Sequence, residues 1–257
     1  MKLKIKRGFN VGTRINTIEV PKELRAKQTS GIKWFDEALG DEGGFTRTSV
    51  MMLTGGAGTG KSTLMRQLAD SMTRQGHIVV YNSGEESLYQ VRMSCERLKL
   101  EQNFMVGEET MLPKFLEFLD DLVAVSGGKT VVFLQDSLQT LDDGKYMDAT
   151  GESLGTNSKT PVRCTELLVD WAQQNFGVVV FVCQVTKSGV FAGSNKIKHA
   201  IDVHGHLYVD MAPKSETYGQ LLFDVQKNRW GCTGATFMLD MTSTGIESRG
   251  SFDKLGR

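Results

Sequence analysis

Hydrophobic residues in the first two thirds of the chain fall into short runs separated by amphipathic stretches. Four runs are short and apolar, which predicts buried strands over 49–54, 78–83, 130–136 and 177–185. Between them, apolar side chains recur every three or four residues, which predicts helices over 32–39, 61–75, 87–99, 110–125 and 161–175. Alternating strands and helices predict right-handed βαβ units and a mostly parallel, twisted sheet flanked by helices. The predicted fold class is therefore α/β.

The rest of the chain is organised differently. From 205 to about 240, apolar and polar residues alternate, which predicts antiparallel strands at the C-terminal end. Two polar segments, 141–160 and 186–200, are interpreted as loops. Residues 1–27 are interpreted as a basic extended arm, either a frayed terminus or a hook that docks on a neighbouring subunit. Residues 28–257 are expected to form one domain.

Composition narrows the possible settings of the protein. The formal net charge is +0, so any contact with nucleic acid must come from local basic patches. The four cysteines are widely spaced, which argues against a zinc ribbon and against a disulfide framework. Free thiols favour a reducing cytosol, so we expect a cytoplasmic protein. No apolar run is long enough for a membrane span or a secretory signal, and neither is expected.

A glycine-rich segment follows the first predicted strand. Residues 55–62, GGAGTGKS, have the spacing of a phosphate-binding loop, in which glycines let backbone N–H groups face phosphate oxygens at a helix N-terminus. Lys61 should reach the β and γ phosphates of ATP, and the Ser62 hydroxyl should ligate Mg²⁺. The predicted nucleotide-binding residues are Gly55, Gly56, Ala57, Gly58, Thr59, Gly60, Lys61, Ser62 and Thr63.

Carboxylates follow two other predicted strands. Asp136 ends the strand 130–136 and is the predicted Mg²⁺ carboxylate of such a site. Glu85 and Glu86 follow the strand 78–83, and one of them should polarise the attacking water. Glu85 is favoured as the catalytic base and Glu86 is the second choice. The alternative is that these two residues only cap the following helix.

A series of short segments resembles one known family. They are TSGIKWFDEALG at 29–40, GGAGTGKSTL at 55–64, YNSGEES at 81–87, QDSLQT at 135–140, VRCTEL at 162–167, CQVTKSGVFAG at 183–193 and KNRWG at 227–231. Together they resemble the ATPase core of bacterial RadA, a RecA-type, DnaB-like DNA-repair ATPase. The resemblance runs from about 29 to 245. The zinc ribbon and the Lon-like domain of RadA are not expected here.

The resemblance implies a nucleotide site shared between subunits of a hexameric ring or a filament. Arg229 would then act as an arginine finger on a neighbour's γ phosphate, with Lys227 as its partner. Gln184 would sense the γ phosphate. The alternatives are a solvated basic turn for Lys227 and Arg229 and a buried structural side chain for Gln184.

The resemblance also implies single-stranded DNA as a partner. The two polar loops would face the ring axis, with Lys187, Lys196 and Lys198 in the second loop and Arg163 just beyond the first as phosphate contacts. The expected function is an ATP-driven helicase or branch-migration motor in recombination, repair or replication. Two alternatives remain open: an ATP-switched annealing or recombinase-like filament, and a KaiC-like signalling ATPase.

Overall fold

The computed structural model describes residues 11–40, 43–101, 103–148, 150, 153–184 and 195–253. Its strands are β1 (Lys27–Gln28), β2 (Phe45–Thr46), β3 (Val50–Gly55), β4 (Ile78–Ser83), β5 (Met105–Gly107), β6 (Val131–Asp136), β7 (Val178–Gln184), β8 (Val203–Val209), β9 (Leu221–Asn228), β10 (Ala235–Thr242) and β11 (Gly245–Asp253). Its α-helices are α1 (Lys22–Arg25), α2 (Lys33–Ala38), α3 (Lys61–Arg74), α4 (Leu88–Arg97), α5 (Leu112–Val125), α6 (Thr160–Asn175) and α7 (Asn195–Ala200). Single turns of 3-10 helix cover Ile15–Thr17 and Leu138–Thr140.

Within the described residues, nine strands form one sheet in the order β11-β10-β9-β8-β3-β7-β6-β4-β5. The six strands from β8 to β5 are parallel, whereas β9, β10 and β11 add to them in antiparallel fashion. The small strands β1 and β2 pair separately. The predicted α/β fold, with a mostly parallel sheet and antiparallel strands at its C-terminal end, is confirmed.

Both faces of the sheet are buried at β3, which explains why the sequence of this strand does not alternate between apolar and polar residues. Met51 and Leu53 belong to the apolar cluster that contains Leu68 of α3. Val50 and Met52 belong to the cluster on the opposite face. Successive side chains of a strand point to opposite faces, so a strand covered on both faces must be apolar throughout. This burial fixes β3 at the centre of the sheet and sets the position of the loop that follows it.

The structure differs from the sequence-based expectations in several short elements. β1, β2, β5 and β11 were not predicted, and α7 lies inside the predicted loop 186–200. β5 has only three residues, two of them exposed, so it carries no periodic signal. α7 buries a single apolar side chain, Ile197, so it too carries no periodic signal. Residues 11–26 of the expected extended arm contain two helical turns, while 1–10 lie outside the described residues. Among the described helices, none has the length and hydropathy that crossing a membrane requires.

Candidate active site

The glycine-rich loop connects the end of β3 with the start of α3 at the central strand of the sheet. Gly58 and Gly60 have φ values of +75° and +94°, a left-handed backbone that favours glycine. A Cβ atom on Gly60 would lie 2.3 Å from the Met241 methyl group, and one on Gly55 would lie 2.2 Å from the Leu207 carbonyl oxygen. The loop therefore needs glycine for conformation at some positions and for space at others.

Two side chains at the start of α3 point toward this loop. The Lys61 ammonium group donates to the carbonyl oxygens of Gly55 at 2.9 Å and Gly56 at 2.7 Å. Burial lowers the pKa of Lys61, while the negative charges of Asp136 and Glu85 oppose this shift. Ser62, the next residue, has its side chain hydrogen-bonded to Asp136. The first turn of α3 thus combines a cation, a hydroxyl group and the anion-favouring end of a helix.

Asp136 lies at the end of β6 and is buried. The Tyr81 hydroxyl donates to its Oδ2 atom at 3.0 Å. Burial raises the pKa of Asp136, and the hydrogen bonds from Ser62 and Tyr81 oppose the rise. Burial also raises the pKa of Tyr81 well above its ordinary value, so the phenol keeps its proton and acts as the donor. The hydroxyl of Ser62 and the carboxylate of Asp136 are hard oxygen ligands of the kind that Mg²⁺ prefers, so these residues fit the ion.

Glu85 and Glu86 point in different directions although they are adjacent. Glu85 Oε1 accepts hydrogen bonds from the Ser137 hydroxyl at 2.6 Å and from the Gln184 side-chain amide at 3.0 Å. Glu86 instead lies 2.7 Å from a guanidinium nitrogen of Arg66, which is buried in α3. Glu85 therefore faces the phosphate cavity, whereas the partly exposed Glu86 is turned toward Arg66.

Neither glutamate caps α4. Ser87 is the N-cap residue, and its side chain accepts from the backbone N–H of Gln90, while the Gln90 side chain accepts from the backbone N–H of Ser87. This reciprocal capping box satisfies the first turn of the helix without either carboxylate. The capping alternative for Glu85 and Glu86 is therefore wrong.

A cavity of about 270 Å³ brings together part of the residues that sequence reasoning assigned to nucleotide, whereas Gly56, Thr59, Gly60, Thr63 and Glu86 do not line it. Gln184 is brought there by register, since it pairs with Gly55 in the parallel β3–β7 ladder. Asp136 and Glu85 reach the same space from β6 and from the end of β4. The lining residues are Gly55, Ala57, Gly58, Lys61, Ser62, Glu85, Asp136, Val182 and Gln184. One cavity thus joins the ends of four parallel strands.

The KNRWG motif spans the last two residues of β9 and the turn that follows, and it lies below the phosphate loop along the strand direction. Ligands of parallel sheets bind at the carboxyl ends of the strands, but β9 is antiparallel, so its carboxyl end faces the opposite way. Lys227 pairs with His204, and His204 pairs with Met52, three residues before the start of the phosphate loop at Gly55. At about 3.3 Å per residue, Lys227 lies about 10 Å below Gly55 along the strand direction. Neither Lys227 nor Arg229 lines the phosphate cavity of its own chain.

Lys227 and Arg229 both bind the end of α7. The Lys227 ammonium group donates to the carbonyl oxygens of Lys198 at 2.7 Å and Ile201 at 2.6 Å. Arg229 donates to the His199 carbonyl oxygen at 2.8 Å and to Asp202 Oδ1 at 3.1 Å. We call this cluster the α7 clamp. Cations at a helix C-terminus satisfy its unpaired carbonyl groups.

The residues assigned to DNA binding differ in their surroundings. Lys187 is outside the described residues. Lys196 and Lys198 lie on α7, with Lys196 exposed and Lys198 half-buried. Arg163 forms a two-pronged ion pair with Asp143, and its guanidinium group lies 5.7 Å from the Tyr146 ring centre. A phosphate would have to displace Asp143 to bind Arg163.

Sequence reasoning missed several residues that support the site. Tyr81 and Ser137 hold Asp136 and Glu85. Both lie within segments quoted for the resemblance, but no role was assigned to either of them. The Thr54 hydroxyl group, one residue before the loop, lies 2.8 Å from both His204 Nε2 and His206 Nδ1. Parallel pairing of β3 with β8 creates this contact, and that pairing cannot be read from local spacing. In the described part of the chain, no group of three or more potential metal ligands is close enough to hold an ion.

The strand order and the cavity define a P-loop nucleotide-binding domain with a RecA-like ATPase fold. The sequence model described as the KaiC ATPase matches residues 28–121. The ATPase domain of G40P superposes with a TM-score of 0.70 at 15% identity, over 86% of this chain and 90% of that one. A KaiC-like protein from Pyrococcus horikoshii gives a TM-score of 0.65 at 17% identity, over 88% of this chain and 99% of that one.

Among characterised sequences, the chain is homologous to bacterial DNA repair proteins named RadA. The Brucella abortus protein is 32% identical over 219 residues, which is 84% of this chain and 44% of that protein. The Aquifex aeolicus protein is 30% identical over 227 residues, 88% of this chain and 47% of the relative. The chain therefore spans less than half the length of these relatives. The resemblance to the RadA ATPase core is confirmed over this shared region.

Proposed function

We propose that this chain hydrolyses ATP and uses the reaction to act on single-stranded or branched DNA, as a helicase or branch-migration motor in recombination, repair or replication. The observation that carries the proposal is the convergence of Lys61, Ser62, Glu85, Asp136 and Gln184 on one cavity beside a glycine-rich loop. Phosphoryl transfer needs positioning and charge neutralisation more than covalent chemistry, and these residue types supply both.

Each residue has a distinct part in the proposed reaction. The loop N–H groups and Lys61 bind the phosphates and orient the γ phosphate. A Mg²⁺ ion held by Ser62 and Asp136 would neutralise charge that develops on the phosphate oxygens. Glu85 accepts a proton from the attacking water, and the Gln184 amide, 3.0 Å from Glu85, holds that carboxylate toward the cavity. Glu86 is less suited to this role because it is engaged by Arg66.

Assembly into a ring or filament would complete the site. The Arg229 side chain is 48% exposed, and it does not line the phosphate cavity of its own chain. It could therefore serve only a nucleotide bound by another copy of the chain, with Lys227 beside it. A cation supplied in this way is worth about 10³ to 10⁵ in rate in known phosphoryl-transfer enzymes. Such a site would make hydrolysis depend on assembly.

Support for DNA as the partner comes from the named DNA repair proteins that this chain resembles and from the lysines of α7. Lys187, Lys196, Lys198 and Arg163 are the proposed phosphate contacts. Arg163 would have to give up its ion pair with Asp143 to bind a DNA phosphate.

The decisive experiment compares two neutralised glutamates. Glu85→Gln should still bind ATP but should lose about 10² to 10⁴ of its hydrolysis rate, because proton transfer to a positioned base contributes that much. Glu86→Gln is the matched control and should lose little turnover at saturating Mg²⁺. Phosphate release is measured with and without single-stranded DNA. Equal losses in the two variants would contradict the assignment of Glu85.

Three further outcomes separate the proposed motor from its alternatives. Directional unwinding of a forked duplex supports the motor. Annealing that persists in Glu85→Gln supports an ATP-switched annealing or recombinase-like filament. The KaiC ATPase match over 28–121 favours a second candidate, a KaiC-like signalling ATPase. Failure to bind any oligonucleotide at low salt would support that candidate.

A further inference from the structure

The Tyr81 side chain connects the metal-binding carboxylate to the interior of the protein. Tyr81 is 0% exposed, and its hydroxyl donates to Asp136 Oδ2 at 3.0 Å. Its ring packs edge-on against Phe104, with 6.1 Å between the ring centres. A phenylalanine would make the same apolar contacts, so the hydroxyl group is the part of this side chain that the fold alone does not require.

Arg66 of α3 lies against the Tyr81 ring. It is 3% exposed, and its guanidinium carbon lies 5.9 Å from the centre of the Tyr81 ring. One guanidinium nitrogen lies 2.7 Å from Glu86 Oε1, as an ion pair rather than a well-directed hydrogen bond. A buried cation is tolerated only when it is paired, so Glu86 keeps Arg66 under the ring.

Helix α3 contacts Asp136 by two routes. Ser62 and Arg66 are four residues apart, so they lie on the same face of the helix. Ser62 hydrogen-bonds to Asp136 directly, whereas Arg66 reaches it through Tyr81. The carboxylate is thereby fixed from the first turn of α3 and from the interior at the same time.

We propose that Tyr81 is a positioning residue that orients Asp136 for Mg²⁺, and that the Arg66–Glu86 pair holds Tyr81 in place. This inference rests on the proposed nucleotide site. It also gives the two glutamates distinct roles. Glu86 supports Asp136 indirectly, through Arg66 and Tyr81, whereas Glu85 lines the phosphate cavity. Residues that hydrogen-bond to a metal ligand typically contribute about 10- to 100-fold to metal affinity.

The test uses the full chain, a fluorescent ATP analogue and Mg²⁺. Tyr81→Phe should leave the affinity for the analogue in EDTA unchanged. It should raise by about 10- to 100-fold the Mg²⁺ concentration at which binding is half-maximally enhanced. Tyr89→Phe is the matched control, since Tyr89 is 85% exposed and should show no change. Thermal melting checks that the variants are folded.

Glu86→Gln provides the second variant and should shift the Mg²⁺ midpoint in the same direction by a smaller factor. If Tyr81→Phe does not fold, an unchanged midpoint in Glu86→Gln overturns the proposal. An unchanged midpoint in folded Tyr81→Phe overturns it directly. So does an equal loss of affinity with and without Mg²⁺, because that is the signature of a purely structural role. Absence of nucleotide binding by the wild-type chain would instead overturn the proposed function, and this inference with it.

Discussion

The molecule has two clusters of charged side chains, separated along the direction of the strands, and their surroundings differ. Lys61 lies at the mouth of a cavity that also contains Asp136 and Glu85, and its own pKa is lowered by burial. In the α7 clamp, Lys227 and Arg229 bind carbonyl groups and Asp202 of their own chain. The first cluster is arranged around space for a ligand, and the second holds a helix to a strand. Any phosphate that meets Arg229 must come from another molecule and must compete with Asp202.

Replacing Lys61 should have the largest effect, because it removes the point charge of the phosphate cavity. We expect Lys61→Ala to abolish ATP hydrolysis and to weaken ATP binding strongly, since the loop N–H groups alone would then face the β and γ phosphates. Phosphate release and binding of a fluorescent ATP analogue measure the two effects. Lys114→Ala, a surface change on α5, is the control. Retained turnover in Lys61→Ala would remove the ATPase assignment.

Replacing Arg229 tests whether the α7 clamp is more than a structural contact. If Arg229 acts on a neighbour's nucleotide, Arg229→Ala should lower the hydrolysis rate by about 10³ to 10⁵. Mixing Arg229→Ala subunits with Lys61→Ala subunits should restore part of the activity. At some interfaces the intact phosphate loop of an Arg229→Ala subunit would face the intact Arg229 of a Lys61→Ala subunit. Mixed assemblies that form but stay inactive would argue against a shared site.

Asp202→Asn separates the two roles of the clamp. Asp202 is buried, and it accepts the Val50 N–H at 3.0 Å as well as Arg229. Asparagine keeps an acceptor for the Val50 N–H but cannot form the ion pair with Arg229. The variant therefore weakens the α7 clamp and leaves the Arg229 guanidinium group in place. Hydrolysis should survive in Asp202→Asn if Arg229 acts in trans. A loss equal to that of Arg229→Ala would mean that the clamp itself is what matters.

The same two clusters differ in how far the sequence could predict them. Lys61 and Ser62 were assigned from eight consecutive residues, because the phosphate loop is a local motif. Asp136 was assigned because ligands gather at the carboxyl ends of parallel strands, a rule that also fits Gln184, whose role was implied only by the resemblance. That rule failed for Arg229, since β9 is antiparallel and its role was implied only by resemblance. The Arg229–Asp202 pair and the Tyr81–Asp136 hydrogen bond join residues that are far apart in the sequence, so no local spacing predicts them.

His204 lies between the two clusters and provides a test that is independent of nucleotide. It pairs with Met52 of β3 and with Lys227 of β9, and it is bound to Thr54. Burial lowers the pKa of His204 from 6.5 to about 4. A lowered histidine pKa adds stability that is fully present above pH 6.5 and is lost as the pH falls toward 4. That difference corresponds to about 3 kcal/mol.

The measurement is the free energy of unfolding from pH 7 to pH 4, compared between wild type and His204→Gln. The variant should lack the part of the acid-induced loss that is due to His204, so the two curves should converge as the pH falls. His199→Gln, which changes an exposed imidazole on α7, should keep the wild-type profile. Parallel curves for wild type and His204→Gln would show that burial of His204 does not contribute to the pH dependence of the free energy of unfolding.

The smallest expected effect concerns DNA and leaves both clusters intact. Lys196→Ala combined with Lys198→Ala removes two charges from α7, while the Lys198 carbonyl bound by Lys227 remains. Two lost phosphate contacts should weaken single-stranded DNA binding equally for all sequences and should reduce the slope of log affinity against log salt by about 1.4. Lys33→Ala combined with Lys114→Ala makes the same change in net charge on other helices and should leave the slope unchanged. An unchanged slope in the α7 variant would take these lysines out of the DNA path, and α7 would then serve only as the helix that the clamp holds.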